Sequence, residues 1–189
     1  MEGESILVTC FEPFGGREEN LSRAAVMALP EEAGGRKLRK LCLPVVFGLA
    51  AETAAAEAQR LGVSAVLSVG EAGGRKALTP EIAALNLRYA RIPDNRGQTP
   101  MDEPVFPGGP NALFSTLPAR KMAAAIAEAG LPGEVSYSAG AYVCNDLFYG
   151  LLRRFSGTET HCGFIHVPAA EGFAPEALAR GLLAALNAI

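Results

Sequence analysis

Runs of apolar residues with the length of a β-strand alternate along the chain with segments of helical period. The predicted strands are residues 6–9, 37–46, 63–69 and 161–167. The third of these, VSAVLSV, shows little polar alternation, which is typical of a strand covered on both faces of a parallel sheet.

Helical period appears in the stretches between these strands. The predicted helices are residues 21–29, 48–61, 118–130, 145–155 and 175–188. Gly62 directly follows the second helix and is expected to end it. In the fourth, the apolar side chains of one face predict its buried side: Leu147, Phe148, Leu151, Leu152 and Phe155. Strands that alternate with helices predict an α/β sandwich around a mostly parallel sheet.

Three further segments have a different character. Residues 81–92 and 134–143 look extended, whereas residues 93–118 are rich in proline and glycine and predict a long loop. The loop also carries apolar side chains such as Met101 and Phe106. Because long loops in compact domains usually have a function, we expect a lid over a site or an arm in an interface.

Length and charge limit the class of protein. A chain of 189 residues without internal repeats predicts one domain, residues 1–189. The net charge of -3 favours neither nucleic acid nor an anionic membrane as partner. No apolar run reaches the ~18 residues that a membrane span needs. The acidic start MEGES is unlike a secretory signal, so a cytoplasmic location is expected.

The four cysteines, Cys10, Cys42, Cys144 and Cys162, are spread along the chain without a C-x-x-C pair. This spacing argues against a disulfide framework and against a structural zinc site. We therefore expect free thiols, no metal ion and no cofactor.

Functional sites in open α/β sheets form at the carboxyl ends of strands. At the first such end, TCFEPFGG (residues 9–16), Phe11 and Phe14 precede two glycines. These two rings are either an apolar wall beside a ligand or part of the core. At the second, GEAGGR (residues 70–75) is a glycine-rich turn that matches neither the P-loop nor the dinucleotide fingerprint.

A thiol and an imidazole follow at two further strand ends. Cys144 stands where an extended segment passes into a helix, and the N–H groups there favour a thiolate. His166 ends a short apolar strand, whereas His161 opens it and is expected at the opposite edge. His166 is a candidate base for Cys144. The alternatives are a buried core cysteine and a structural histidine.

An acidic residue that orients the imidazole would complete such a pair. Glu81 is the best candidate, because it starts an extended segment soon after the glycine-rich turn. Arg91 has the same strand parity and is expected in the same region. By itself, the segment around Glu81 favours a solvated surface acid over an orienting acid.

Six motifs in order resemble pyroglutamyl peptidase I, also called pyrrolidone-carboxylate peptidase. The first two, TCFEPFGG and GEAGGR, are similar to the family patterns T-G-F-[DE]-P-F-G-G and G-Q-A-G-G-R. The others are TPE at residues 79–81, ARIPDN at 90–95, AGAYVCN at 139–145 with YG at 149–150, and GFIHVP at 163–168.

The resemblance implies a three-layer α/β/α sandwich, related in architecture to purine nucleoside phosphorylases. It implies a cysteine peptidase that removes N-terminal pyroglutamate from peptides, with Cys144 as nucleophile and His166 as general base and acid. Glu81 would orient His166, and Arg91 would lie near the oxyanion. The pocket that it implies for the lactam consists of Phe11, Phe14, Ile92, Tyr142, Val143 and backbone groups near Glu71. Homo-oligomers, commonly tetramers, are implied as well.

The chain departs from the family pattern at several positions. Cys10 replaces a glycine beside the expected pocket, and Glu71 replaces a glutamine and brings a charge near the lactam. Leu21 stands where proline is common. Asp146 replaces a histidine and is expected to oppose a thiolate. The segment after residue 168 is short and lacks the usual tyrosine and glutamine.

Two other functions remain open from the sequence. One is a phosphorylase-like enzyme that binds phosphate at residues 73–75, which would have no use for Cys144 and His166. The other is a binding protein that keeps the pyroglutamyl pocket and has lost activity through the departures at Cys10, Glu71 and Asp146.

Overall fold

A six-stranded sheet forms the centre of the structure, a computed structural model that describes residues 4–169 and 173–189. The strands are β1 (Ser5–Phe11), β2 (Glu32–Ala33), β3 (Arg36–Leu43), β4 (Ala65–Ala72), β5 (Thr79–Pro80), β6 (Ala83–Leu85), β7 (Arg88–Tyr89), β8 (Met101–Glu103), β9 (Ala112–Phe114) and β10 (His161–Pro168). The helices are α1 (Leu21–Met27), α2 (Leu49–Leu61), α3 (Ala119–Glu128), α4 (Val143–Arg154) and α5 (Pro175–Asn187).

The central sheet has the order β2-β3-β1-β4-β10-β5. Its four long strands, β3, β1, β4 and β10, are parallel, and the two-residue strands β2 and β5 are antiparallel at the edges. The prediction of a mostly parallel α/β sheet is confirmed. All four long strands therefore present their carboxyl ends at one edge of the sheet, where sites form in this class of fold.

Apolar clusters cover both faces of the sheet. One cluster joins the sheet to α1, α3 and α5, for example through Val26, Ile126 and Leu182. The other joins it to α2 and α4, for example through Ala54 and Phe148. The result is the expected three-layer arrangement, and β4 shows no alternation because both of its faces are buried.

Helix positions follow the predicted pattern closely. Helix α2 ends where expected, at Gly62, whose left-handed conformation with φ 62° suits a residue without a side chain. The predicted inner face of α4 is buried at all five positions. Helix α4 begins at Val143, two residues earlier than predicted, so Cys144 lies inside its first turn. Among the described helices, none is long and apolar enough to cross a membrane.

The predictions for the extended segments were partly wrong. Residues 81–92 do not form one strand, because the chain turns between β6 and β7 and pairs with different partners. Residues 134–143 contain no strand beyond a bridge at Ser136. Their apolar residues pack as irregular chain beside the sheet, so strand parity is not a valid guide there.

The proline-rich segment 93–118 is more regular than its composition predicts. It contains β8 and β9, which pair with β7 and β6 in two small antiparallel sheets. The prolines flank these short strands, where a missing N–H costs no sheet hydrogen bond. Of the short segment after residue 168, residues 170–172 lie outside the described part of the chain.

Candidate active site

A cavity of about 390 Å³ opens at the carboxyl ends of β1, β4 and β10. These strands contribute Phe11, Glu71 and His166 to its wall. The remaining lining residues are Phe14, Asn20, Val45, Ala72, Gly73, Tyr89, Arg91, Ile92, Ala139, Gly140, Ala141, Tyr142, Val143 and Cys144. All the residues expected from the sequence are therefore at this cavity except Glu81, which lies behind it.

Gly70 brings the thiol and the imidazole together. In the β4–β10 pairing, Gly70 is the register partner of His166. A Cβ atom built on Gly70 would lie 2.8 Å from Sγ of Cys144. Only glycine leaves room for the thiol above this point of the sheet, so Cys144 at the start of α4 sits close to the strand position of His166.

Glu81 reaches His166 because of how β5 pairs with β10. Thr79 is the antiparallel register partner of His166, and the N–H of Glu81 donates to the carbonyl of Phe164 at 2.9 Å. Oε1 of Glu81 lies 2.7 Å from Nδ1 of His166, and both side chains are buried. A carboxylate at this position accepts a hydrogen bond from Nδ1–H of His166 and leaves Nε2 as the basic nitrogen.

Burial sets the protonation of both reactive groups. It raises the pKa of the Cys144 thiol to about 12, an effect reinforced by the charge of Glu81 and opposed by Arg75. Burial also lowers the pKa of His166, although the hydrogen bond to Glu81 opposes this shift. Burial thus opposes the thiolate that the helix start favours. Both shifts favour a neutral thiol and a neutral imidazole at neutral pH.

Aromatic side chains form one wall of the cavity. The ring of Tyr142 lies 6.2 Å from that of Phe14 and 5.3 Å, edge-on, from that of Phe47. The hydroxyl of Tyr142 donates to the carbonyl of Pro93 at 3.1 Å, which ties the start of α4 to the segment carrying Arg91. The wall is apolar, and its one hydroxyl, that of Tyr142, is already hydrogen-bonded.

Arg91 and Ile92 are exposed at the mouth of the cavity. The premise of one strand from Glu81 to Arg91 was wrong, because the chain turns between β6 and β7, yet Arg91 lines the cavity that also holds His166 and Cys144. Glu81 is fully buried, whereas Arg91 is exposed, so the two lie in different surroundings.

Glu71 lines the cavity with a compensated charge. Oε1 pairs with the guanidinium of Arg17, and Oε2 accepts the main-chain N–H of Leu21 at 2.6 Å. Gly15 and Gly16, with φ of 62° and 77°, turn the chain so that Arg17 reaches Glu71. Arg17 and Leu21, which follow β1, thus hold the carboxylate of Glu71. The Glu71 side chain is only 2% exposed, so the residue meets the cavity through its main chain.

The sequence of this chain matches the profile of the pyroglutamyl peptidase family over residues 4–180. The chain belongs to the pyroglutamyl peptidase family. The pyrrolidone-carboxylate peptidase of Levilactobacillus brevis is 44% identical to it over 97% of this chain and 96% of the relative. That of Thermococcus onnurineus is 45% identical over 86% of this chain and 82% of the relative.

Solved structures of the pyroglutamyl peptidase family have the same fold. Pyroglutamyl peptidase I from Bacillus amyloliquefaciens superposes with a TM-score of 0.92 at 34% identity, covering 97% of this chain and 95% of the other. Pyrrolidone carboxyl peptidase from Thermus thermophilus superposes with a TM-score of 0.91 at 41% identity, covering 97% of this chain and 100% of the other.

Two departures from the pyroglutamyl peptidase pattern lie away from the cavity. Cys10 is fully buried in the core, and its Sγ lies 3.7 Å from the carbonyl of Leu41. The expectation that it borders the pocket was wrong, because residue 10 of β1 faces the α1 side of the sheet. Asp146 accepts from the N–H of Gly48 at 2.7 Å and pairs with Arg88 at 2.5 Å.

The structure therefore corrects the role expected for Asp146. Its fully buried carboxylate points toward α2 rather than the thiol, and the carboxylate that acts on Cys144 is Glu81. Sequence reasoning also missed three neighbours of the reactive pair and its cavity: Gly70, Arg75 and Tyr89. Gly70 and Arg75 lay within the glycine-rich motif, which by itself predicted only a turn.

Proposed function

We propose that this member of the pyroglutamyl peptidase family removes an N-terminal pyroglutamate from peptides through a thioester on Cys144. The supporting observation is that Sγ of Cys144 lies over Gly70, the register partner of His166, in one cavity with His166, while Nδ1 of His166 is 2.7 Å from Oε1 of Glu81. This geometry suits a nucleophile, a base and an orienting acid.

In the proposed reaction, the Cys144 thiol attacks the carbonyl carbon that joins pyroglutamate to the next residue. Nε2 of His166 takes the thiol proton as the carbon–sulfur bond forms, and then donates it to the nitrogen of the leaving peptide. A water molecule, deprotonated by His166, attacks the thioester. Pyroglutamate is released, and the proton returns to Cys144. Glu81 stabilises the imidazolium that forms twice in this cycle.

The developing oxyanion is proposed to lie at the start of α4. The first N–H groups of a helix have no partner within the helix, and they point toward this region from Val143 onward. Arg91 lines the same cavity and, in this proposal, adds a positive charge when substrate is bound.

The lactam is proposed to bind between Phe11, Phe14 and Tyr142, with Ile92 and Val143 completing the pocket. The pyroglutamyl residue at the start of a peptide is neutral and compact, and apolar walls with a few hydrogen bonds suit it. The hydrogen bonds to the lactam amide would come from main-chain groups at Glu71, because its carboxylate is engaged by Arg17 and Leu21. A charged amino terminus would lose its solvation in such a pocket.

Three properties of the whole molecule are further proposals. All four cysteines are free thiols, which supports a cytoplasmic location. Exposed side chains of Phe114 (68%), Tyr137 (66%) and Met101 (61%) support a homo-oligomer, a tetramer by family resemblance. The pairing of β10 with β4 and the packing of α5 on α1 support one domain over residues 1–189. Light scattering coupled to size exclusion tests the subunit number.

Hydrolysis of pyroglutamyl-4-methylcoumarinyl amide tests the proposed activity. We expect turnover by the wild type, none by Cys144→Ala, and near wild-type turnover by Cys42→Ala, which removes a thiol of β3. Prolyl-4-methylcoumarinyl amide, whose ring nitrogen is charged, should not be cleaved. A folded wild type that is stabilised by pyroglutamate without cleaving the substrate would instead identify a binding protein. Full turnover by Cys144→Ala would refute the role of that thiol.

A further inference from the structure

Arg75 contacts the acidic member of the proposed triad from outside the described lining of the cavity. Its Nη1 lies 2.8 Å from Oε1 of Glu81 and also donates to the hydroxyl of Thr79. Its Nη2 donates to the carbonyl of Ser138 at 3.3 Å. As far as the described residues form it, the lining of the cavity does not include Arg75. The guanidinium is therefore anchored at several points behind the site.

Glu81 needs a compensating charge at its position. Its side chain is fully buried, and Oε1 faces both Nδ1 of His166 and Nη1 of Arg75. Oε2 has no hydrogen-bond partner within residues 4–169 and 173–189. A buried carboxylate without a paired cation is strongly unfavourable, and His166 is neutral in the resting site. Within the described chain, Arg75 is the permanent cation in contact with Glu81.

Arg75 also reaches the main chain that carries the base. The Thr79 hydroxyl to which it donates is within 3.4 Å of the carbonyl of His166, in the β5–β10 pair. One guanidinium thus fixes the carboxylate of Glu81 and the strand that positions it. A planar fork with several donors suits such a task better than an ammonium group.

We propose that Arg75 is a positioning residue of the reaction, which holds Glu81 charged and oriented toward Nδ1 of His166. This inference rests on the roles proposed above for Cys144, His166 and Glu81. Arg75 acts through Glu81 and touches neither the substrate nor the reacting atoms. Glu81 can then hold the Nδ1–H tautomer and stabilise the imidazolium.

The charges around the reactive pair support this arrangement. The charged or titratable groups that act on His166 are Glu81 and Arg75, and the same two act on Cys144. Arg75 lowers the pKa of both His166 and Cys144, and Glu81 opposes it at each. Loss of Arg75 is therefore expected to move the acid limb of the rate profile to higher pH.

The test is a double-mutant cycle with Arg75→Gln and Glu81→Gln in the full-length enzyme, with kcat and KM measured on the fluorogenic substrate. We expect Arg75→Gln to lower kcat at least about tenfold with KM within about threefold, because the residue lies outside the cavity. In the Glu81→Gln background the same change should cost little, since no buried charge remains to be paired. Arg75→Lys, which keeps the charge, should retain more kcat than Arg75→Gln.

Several outcomes would overturn the inference. They are an unchanged kcat in Arg75→Gln, a rise in KM alone, equal losses in Arg75→Lys and Arg75→Gln, and losses that add fully in the double variant. If Arg75→Gln fails to fold, Arg75→Met, which also removes the charge, takes its place in the cycle. Cys144→Ala is run in parallel. Activity in that variant would defeat the proposed triad, whereas an inactive Cys144→Ala with a fully active Arg75→Gln would defeat only the role of Arg75.

Discussion

The main-chain N–H of Leu21 donates a hydrogen bond to Oε2 of Glu71 across 2.6 Å. Both residues are departures from the pattern that the sequence resembles, which has proline and glutamine at these places. Proline has no N–H to donate, so leucine at position 21 supplies a bond that the carboxylate at position 71 requires. Arg17 supplies the balancing charge. The two departures are therefore physically linked.

Replacing Leu21 by proline is expected to destabilise the protein by about 2 kcal/mol, the value of a hydrogen bond to a charged group. Proline is otherwise well tolerated at the first position of a helix, so the loss reports the missing donor. In Glu71→Gln the same substitution removes only a neutral hydrogen bond and should cost about 1 kcal/mol. Urea unfolding of the four proteins measures both steps. Equal costs in the two backgrounds would show that the carboxylate does not depend on Leu21.

Gly70→Ala is expected to abolish most of the activity. The new Cβ would lie 2.8 Å from Sγ of Cys144 and 2.8 Å from Cζ of Phe164, so the thiol must move. A displacement of about 1 Å costs on the order of 100-fold in rate. The matched control is Gly163→Ala, whose Cβ would meet Cδ1 of Leu117 at the same distance, on the opposite face of the sheet.

The control should lose stability and keep the activity of its folded fraction. Activity is measured per folded molecule, with folding followed by circular dichroism. Undiminished turnover in Gly70→Ala would mean that Cys144 does not react from the observed position.

The pH profile of kcat/KM should have its acid midpoint below about 6.5, the ordinary histidine value. Burial lowers the pKa of His166, and the base is active only when neutral, so the rate rises as pH passes upward through this lowered pKa. Between this pKa and about 6.5 the unfolded chain binds the proton and the folded chain does not, so stability falls as pH falls through that window.

Because burial raises the pKa of Cys144 to about 12, no thiol titration is expected near pH 8.5. Initial rates measured across pH check the acid midpoint set by His166. Iodoacetamide alkylation measured across pH checks the titration of Cys144. An acid midpoint above 6.5 or a thiol inflection near 8.5 would contradict the neutral resting pair.

Asp146→Ala is expected to cost about 3 kcal/mol of stability, since it leaves the partly buried Arg88 and the N–H of Gly48 without their partner. Asp146→Asn keeps an acceptor for Gly48 and should cost less. Neither change should alter the pH dependence of Cys144 alkylation, because Asp146 faces α2. A lower pH midpoint for Cys144 alkylation in Asp146→Ala would show that the Asp146 carboxylate does disfavour the thiolate.

The long periodic elements were predictable because their side chains report burial directly. Helix α4 has an apolar face at every expected position, and β4 lacks alternation because both faces are covered. The conformation of residues 81–92 and 134–143 was not predictable, since their apolar residues pack as irregular chain or in very short strands. In such segments the neighbours in space, rather than the order of residues, set the conformation.

By itself, the sequence determined the order of the four long strands and the five helices, the family, and the residue types of the site: a thiol, an imidazole and an acid. The tertiary structure decided how these groups act on one another. It placed Glu81 in contact with Arg75 and Asp146 with Arg88, although local order made Asp146 the nearer acid to Cys144.

The tertiary structure also opposes the charge that the local chain favours at the thiol. A helix start favours a thiolate when only the local chain is considered, yet burial beside Glu81 raises the pKa of Cys144. The bond between Leu21 and Glu71 likewise depends on the fold, because 50 positions of the sequence separate the two residues that share it. Desolvation and charge pairing depend on distances in space, and only the folded chain sets those distances.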